Sequence, residues 1–269
     1  MSRLIVQIYE VQDPREAEGL VKLGVDHIGS VVLSNETWKD PVLEETVRQV
    51  QAAGAVSSLI PLYGDPDLIF RTVDYYRPDI LHFCDDLIGS IRDLNALDPF
   101  VSLQEQLRTR FPNVRIMRSI PIPESGAATE YPTLEVARAL EPVTDFFLTD
   151  TLVDNGNGLS QEEQPVAGFV GITGLPCSWD IAAKLTAQSR IPVILAGGIS
   201  PDNAYDAVMN TRPAGIDSCT QTNAVDPSGK PIRFRKDPDK VRHMIAEVRR
   251  AERDLNQYPS DDVSPNRRL

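Results

Sequence analysis

The segment with the clearest chemical potential is IPVILAGGISPDNAYDAV, residues 191–208, in which an apolar run ends in Gly197-Gly198 and a proline-led helix start follows at Pro201. Glycines let backbone N–H groups approach an oxyanion closely, and a helix N-terminus adds positive potential, so this spacing reads as a phosphate cradle. A tight strand-to-helix turn would need the same glycines, and spacing alone leaves both readings open. The three cysteines, Cys84, Cys177 and Cys219, have no CxxC spacing, which argues against a disulfide framework or a zinc site of the usual kind. The three histidines are scattered and no carboxylate cluster has ligand spacing, so no metal is expected.

Charge narrows the partners. With 27 Lys+Arg against 39 Asp+Glu the chain carries a formal charge of −12, and it has no basic run. Nucleic-acid affinity rests on neutralising phosphates with basic side chains, so a nucleic-acid partner is not expected, and an anionic membrane surface is disfavoured on the same ground. The apolar start Leu4-Ile5-Val6 is broken at Gln7, short of the ~7–15 apolar residues of a signal peptide. No stretch approaches the ~18 apolar residues of a membrane span. These features point to a soluble protein in a reducing, cytoplasmic setting, and they leave the oligomeric state open.

The elements that must position such a site repeat along the chain. Apolar, β-branched runs at 4–9, 27–33, 56–62, 80–83, 114–120, 146–148, 192–195 and 214–218 alternate with amphipathic stretches. Eight strand-like runs separated by helices predict a single (β/α)8 TIM barrel, an α/β fold of roughly 250 residues. Asp13-Pro14 predicts a capped helix start and Gly24 its end, while Pro66, Pro201 and Pro238, each preceded by Asp or Ser, predict further starts. The last helix is expected to end near Leu255, so the barrel should occupy residues 1–255 and a flexible, Pro-, Ser- and Asp-containing tail residues 256–269. Residues 151–178, with five glycines, form a long connection after the sixth strand, at the face where barrel active sites lie.

Several ordered matches then identify a family. LAGGISPDNAYDAV resembles the seventh βα unit of the phosphoribosylanthranilate isomerases, Leu-Ala-Gly-Gly-Leu-x-Pro-x-Asn-Val, and Arg212-Pro213-Ala214-Gly215-Ile216-Asp217 continues in register with the family's Pro-x-Gly-Val-Asp. VQIYEVQDPREAEGLVKLGVDHIG, residues 6–29, is similar to the first βα unit and second strand without a gap. GITGLPCSW retains Gly171, Thr173, Gly174 and Trp179 of the family's Gly-Gly-Thr-Gly-x-x-Phe-x-Trp loop, and Leu148-Thr149-Asp150-Thr151 is similar to Leu-Leu-Asp-Ser. The resemblance runs over roughly residues 3–250.

The family reaction is an Amadori rearrangement, which opens a ribosylamine to a Schiff base and re-tautomerises it to an amino-ketose. It needs a general acid at the ring oxygen and a general base at C2. No cofactor is implied. By the resemblance Asp150 is the acid. The family's base is the Cys of Lys-Ile-Cys-Gly, and here the stretch reads Gln7-Ile8-Tyr9-Glu10, with Tyr9 at the base position. A phenol with a pKa of about 10 is a poor base unless a cation or hydrogen bonds lower it. Glu10 is adjacent, but strand alternation would turn it to the opposite side from Tyr9. His82, where the family reads Gln-Leu-His-Gly, is chemically better suited, although a hydrogen-bonded core histidine would look the same.

Other positions depart as well. The family's Ser-Pro-Arg after strand two, whose arginine is associated with the anthranilate carboxylate, is Ser34-Asn35-Glu36-Thr37-Trp38-Lys39, and Lys39 lacks arginine's planar fork. After strand eight the phosphate-facing glycine is replaced by Gln221, while Thr220 keeps a hydroxyl. The candidate phosphate set is therefore Gly197, Gly198, Thr220 and Gln221. Lys230, Arg233, Arg235 and Lys236 enrich the following stretch in positive charge; either an anion contact or an ordinary solvated loop would account for it. The leading expectation is a family-like isomerase acting on a phosphorylated small molecule. The alternative is a phosphate-ligand binding or regulatory barrel that has lost turnover. Aldol cleavage through a Schiff base would want a strand-end lysine, and none of the eight runs ends in one.

Overall fold

The protein is described from a computed structural model, in which residues 3–87, 89, 93–126, 131–153, 169, 171 and 174–257 are described. Eight parallel strands close on themselves: β1 (Ile5–Ile8), β2 (His27–Val32), β3 (Val56–Pro61), β4 (Ile80–Phe83), β5 (Arg115–Pro123), β6 (Phe146–Leu152), β7 (Val193–Leu195) and β8 (Gly215–Ser218), with β8 pairing β1 through Ile5↔Gly215 to Ile8↔Ser218. Helices α1 (Pro14–Leu23), α2 (Pro41–Ala52), α3 (Pro66–Tyr76), α4 (Asp98–Arg110), α5 (Thr133–Leu140), α6 (Trp179–Gln188), α7 (Ala204–Thr211) and α8 (Pro238–Gln257) alternate with them. This is the (β/α)8 barrel expected from the sequence.

Local chemistry explains the boundaries. Asp13 accepts from the N–H groups of Arg15 and Glu16, Pro14 opens α1, and Gly24 closes it in the left-handed region at φ 106°. The same Asp-Pro device opens α2, α3 and α8 through Asp40, Asp65 and Asp237. Pro201 behaves differently from its expected role, because α7 begins three residues later at Ala204. Asn203 spends its side chain on Ser200 N and Gly198 O, at 2.8 and 2.9 Å, holding residues 200–203 as a turn instead of capping a helix at Pro201. At the other end α8 continues to Gln257, two residues past the expected end, and the rest of the expected tail, 258–269, lies outside the described residues.

The core has two layers. Between strands and helices pack residues such as Val6, Ile8, Leu20, Ile120, Phe147, Leu195 and Val248, whereas Tyr9, Val31, Ile80, Met117, Leu148 and Ile194 fill the barrel itself. Strand alternation separates these sets: Ile8 and Tyr9, or Phe147 and Leu148, face opposite layers. A feature not expected from the sequence follows β8. Residues read there as a charged loop form an antiparallel hairpin of β9 (Asn223–Val225) and β10 (Pro231–Lys236), closed by a turn in which Asp226 accepts from Ser228 N and Lys230 N. Among the described residues no helix is long and apolar enough to cross a membrane.

Candidate active site

A cleft of about 780 Å³, counting its open mouth, lies at the C-terminal ends of the strands. It gathers all seven residues singled out from the sequence: Tyr9, His82, Asp150, Gly197, Gly198, Thr220 and Gln221. Among its other lining residues are Glu10, Asp217 and Phe169, which were not singled out as site residues. Among the described lining residues there is no lysine or arginine. Lys39 stands elsewhere, its Nζ 5.0 Å from the Trp38 ring centroid and 5.4 Å from that of Tyr75.

Tyr9 and His82 are joined to each other. His82 Nδ1 lies 2.6 Å from Tyr9 Oη, which also bonds Ser58 Oγ, and His82 Nε2 lies 2.9 Å from Ser119 Oγ. The chain therefore runs from β5 across β4 and β3 to the end of β1, with the Tyr9 ring lying against Gly29 of β2. Burial pushes the Tyr9 phenol well above its ordinary value, and only the Ser58 hydrogen bond opposes it. Burial, reinforced by the Arg118 charge, lowers His82 to about 3. Both groups are neutral near pH 7, and both nitrogens of the imidazole are occupied. This is the environment of a hydrogen-bonded core histidine, and it opposes the lowered phenol pKa that base duty for Tyr9 would require.

The opposite side of the cleft is built from carboxyls. Asp150, toward the end of β6 and partly open to the cleft, has its pKa raised by burial to about 7, against a lowering hydrogen bond from Thr151 N. Gly171 covers it so closely that a Cβ there would stand 2.1 Å from Oδ2. Asp217 on β8 is 6% exposed and raised to about 8, first by burial and further by the charge of Asp150; a hydrogen bond from Gln7 and the charge of Lys236 act the other way. Among the described residues its Oδ1 has no hydrogen-bond partner. Two carboxyls that sense each other in a buried cleft and titrate near neutrality are poised for proton transfer.

Glu10 corrects an expectation. Because β1 ends at Ile8, and Glu10 takes a left-handed backbone with φ 61°, strand alternation no longer applies and the residue lines the same cleft as Tyr9. No pattern in the sequence flags that turn. The hint was that the resembled motif carries glycine there, the residue suited to positive φ.

Gly197 and Gly198 have φ of 91° and 64°, and a Cβ on them would stand 2.5 Å from Thr151 Oγ1 and 2.5 Å from Pro176 N. Close packing of residues 175–177 thus requires these glycines whether or not an anion binds. Thr151 Oγ1 donates to Leu175 O at 2.6 Å, and Gln221 Nε2 donates to Gly174 O at 2.9 Å, so the candidate phosphate residues and the glycine loop form one rim. Thr173 and residues 154–168 of the long connection after the sixth strand lie outside the described residues. Among the described residues no group of three His, Cys, Asp or Glu side chains could hold a metal ion.

Comparison with known proteins places this arrangement. No family model matches the chain. A protein from Methanocella arvoryzae named N-(5'-phosphoribosyl)anthranilate isomerase is 30% identical over 248 residues, covering 91% of this chain and 97% of that one. The chain belongs to the phosphoribosylanthranilate isomerase family. Another protein so named, from Methanosarcina acetivorans, is 25% identical over 257 residues and 91% of this chain. Among solved structures, the phosphoribosylanthranilate isomerase of Thermotoga maritima superposes with a TM-score of 0.62 over 91% of this chain and 98% of its own, at 16% identity. A complex of such an isomerase with reduced 1-(o-carboxyphenylamino)-1-deoxyribulose 5-phosphate gives 0.61 at 15% identity, covering 91% of this chain and 98% of that one. These structural likenesses establish the shared barrel; the family assignment comes from the sequence match.

Proposed function

We propose that this family member isomerises a phosphorylated ribosylamine to the corresponding amino-ketose by general acid–base catalysis, with Asp150 as the acid. The supporting observation is Asp150 itself. It stands at the strand-six position of the family motif, lines the cleft, and carries a pKa near 7, so a substantial fraction is protonated at neutral pH and can deliver a proton to the ring oxygen. As the C1–O bond opens, the amine nitrogen's lone pair forms the Schiff base and Asp150 is left as carboxylate. Asp217, neutral at pH 7, offers a second hydrogen-bond donor from β8.

Backbone N–H groups of Gly197 and Gly198, with Thr220 and Gln221, would hold the phosphate at the rim. Tyr9 and His82 take a supporting part as a neutral layer beneath the substrate. A cytoplasmic setting agrees with three free cysteines. The alternative of a binding barrel without turnover gains no observation in its favour. The test is consumption of phosphoribosylanthranilate fluorescence by the purified chain. Turnover that Asp150→Asn abolishes is the expected result; saturable binding with no turnover would sink the reading.

A further inference from the structure

We propose that Glu10 is the general base of this cleft, held in place as a carboxylate by Arg233 of the β9–β10 hairpin. The inference rests on the isomerase reading above and concerns the position where the chain departs most from its family, since Tyr9-Glu10 stands where the motif has Cys-Gly.

Three observations carry it. First, a non-glycine residue occupies a left-handed backbone at φ 61°, a strained conformation that tends to persist where function demands it. Second, the carboxylate is 1% exposed and unevenly satisfied. Oε1 accepts a hydrogen bond from Arg233 Nε at 2.7 Å and lies 2.6 Å from Arg233 Nη2, whereas among the described residues Oε2 is buried with no hydrogen-bond partner. The neighbouring Cys219 thiol, kept protonated first by burial, also hydrogen-bonds the Glu10 carboxyl. A buried carboxylate oxygen left unpaired is costly unless a ligand group completes it. Third, Glu10 lines the cleft that holds Asp150 and Asp217, just past the end of β1 and three strands around the barrel from β6.

The hairpin makes the arrangement possible. Lys236 anchors it: Nζ donates to Cys219 O at 3.0 Å and Asn223 Oδ1 at 2.6 Å, and its backbone N–H donates to Glu16 Oε1. Arg233 is thereby delivered to the end of β1. Arg233 is a positioning residue, because its guanidinium engages one oxygen and leaves the other for substrate.

In the step proposed, Glu10 Oε2 takes the proton from C2 of the Schiff base. The C2–H electron pair becomes the C1=C2 bond and the C1=N π pair returns to nitrogen. The proton then rests on Glu10, while the proton that Asp150 gave is on the opened ring oxygen. Ketonisation delivers the Glu10 proton to C1 while the enol O–H proton passes through solvent to Asp150, so both carboxyls are restored and the product is an isomer of the substrate.

The experiment compares wild type with Glu10→Gln, Glu10→Gly, Arg233→Met and Arg233→Lys, using phosphoribosylanthranilate for turnover and the reduced carboxyphenylamino-deoxyribulose phosphate for binding. Glu10→Gly removes the carboxylate while supplying the residue that suits the backbone, so it guards against a folding defect. Both Glu10 variants are expected to lose about 10²–10⁴-fold in kcat and to bind the analogue within about threefold of wild type. Arg233→Met is expected to lower kcat at least tenfold while analogue binding stays within about threefold, and Arg233→Lys to recover most of the rate, a split that a merely structural role would not produce. Glu10 variants within fivefold of an active wild type overturn this inference alone. A wild type that binds the analogue and turns nothing over overturns it together with the isomerase reading.

Discussion

The two sides of the cleft treat their polar groups in opposite ways. On the β1–β5 side, Ser119, His82, Tyr9 and Ser58 satisfy one another in an unbroken chain, and every titratable member is neutral. On the β6–β8 side and at Glu10, one oxygen each of Asp217 and Glu10 is left without a partner among the described residues, and Asp150, covered by Gly171, and Asp217 titrate near neutrality. A satisfied buried network stabilises a fold, whereas an unsatisfied one costs stability and marks where a ligand is needed. The histidine-bearing and carboxyl-bearing regions of one cleft are therefore suited to different duties, stability on one side and proton transfer on the other.

The sharpest way to break this contrast is to neutralise the open side. Asp150→Asn should reduce kcat by about 10³-fold and yet raise stability in alkali. The sign follows from a folded pKa of about 7 against 3.8 unfolded: the group's contribution is full below 3.8 and is lost as pH rises through 7. The variant should thus melt above wild type at pH 8 and converge with it toward pH 4. Equal melting temperatures at both pH values would remove the open side from the comparison.

The closed side should answer in stability and hardly at all in rate. His82→Ala strands the Tyr9 and Ser119 hydroxyls and opens a cavity, so a loss of about 2–4 kcal/mol in denaturant unfolding is expected, with kcat of the folded fraction within about fivefold of wild type. His82 also sets a pH signature. Its folded pKa of about 3 lies below the unfolded 6.5, so its contribution is present above 6.5 and is lost as pH falls through 3; His27, lowered to about 4, acts in the same direction. The variant's stability should fall less steeply than wild type between pH 6.5 and 4. A smaller cut, Tyr9→Phe, should cost about 1–2 kcal/mol with kcat again nearly unchanged. A hundredfold drop in kcat from either substitution would return the base role to the Tyr9–His82 pair.

This contrast was only half legible in the sequence. Eight apolar runs announced the barrel because continuous apolar, β-branched strands buried on both faces and Asp-Pro caps are local signals, and the family motif pointed to Asp150 and the Gly197-Gly198 turn. Tyr9 and His82 are 73 positions apart, and their hydrogen bond depends on barrel closure, which no local pattern reports. The β9–β10 hairpin was hidden because four of the residues at 230–236 are cationic and so read as a solvated loop, although Lys236 is in fact 4% exposed and Arg233 is ion-paired. Glu10 was missed for a third reason: alternation predicts orientation only while a strand lasts, and β1 ends two residues earlier.

The smallest effect tests whether the cleft draws its cations from outside. Lys39 follows the second strand where the family places an arginine, yet its ammonium is stacked on Trp38 and Tyr75 and does not line the cleft. Such exposed cation–π contacts are worth about 0.5–1 kcal/mol, which for a chain of this size is a shift of roughly 1–4 °C in melting temperature. Lys39→Ala is therefore expected to lower Tm by that amount and to leave KM for phosphoribosylanthranilate within twofold. A tenfold rise in KM would mean that Lys39 leaves its aromatic stack to meet the substrate's carboxylate, giving the open side a cation. The contrast between the two sides would then be one of charge balance as well as of hydrogen-bond satisfaction.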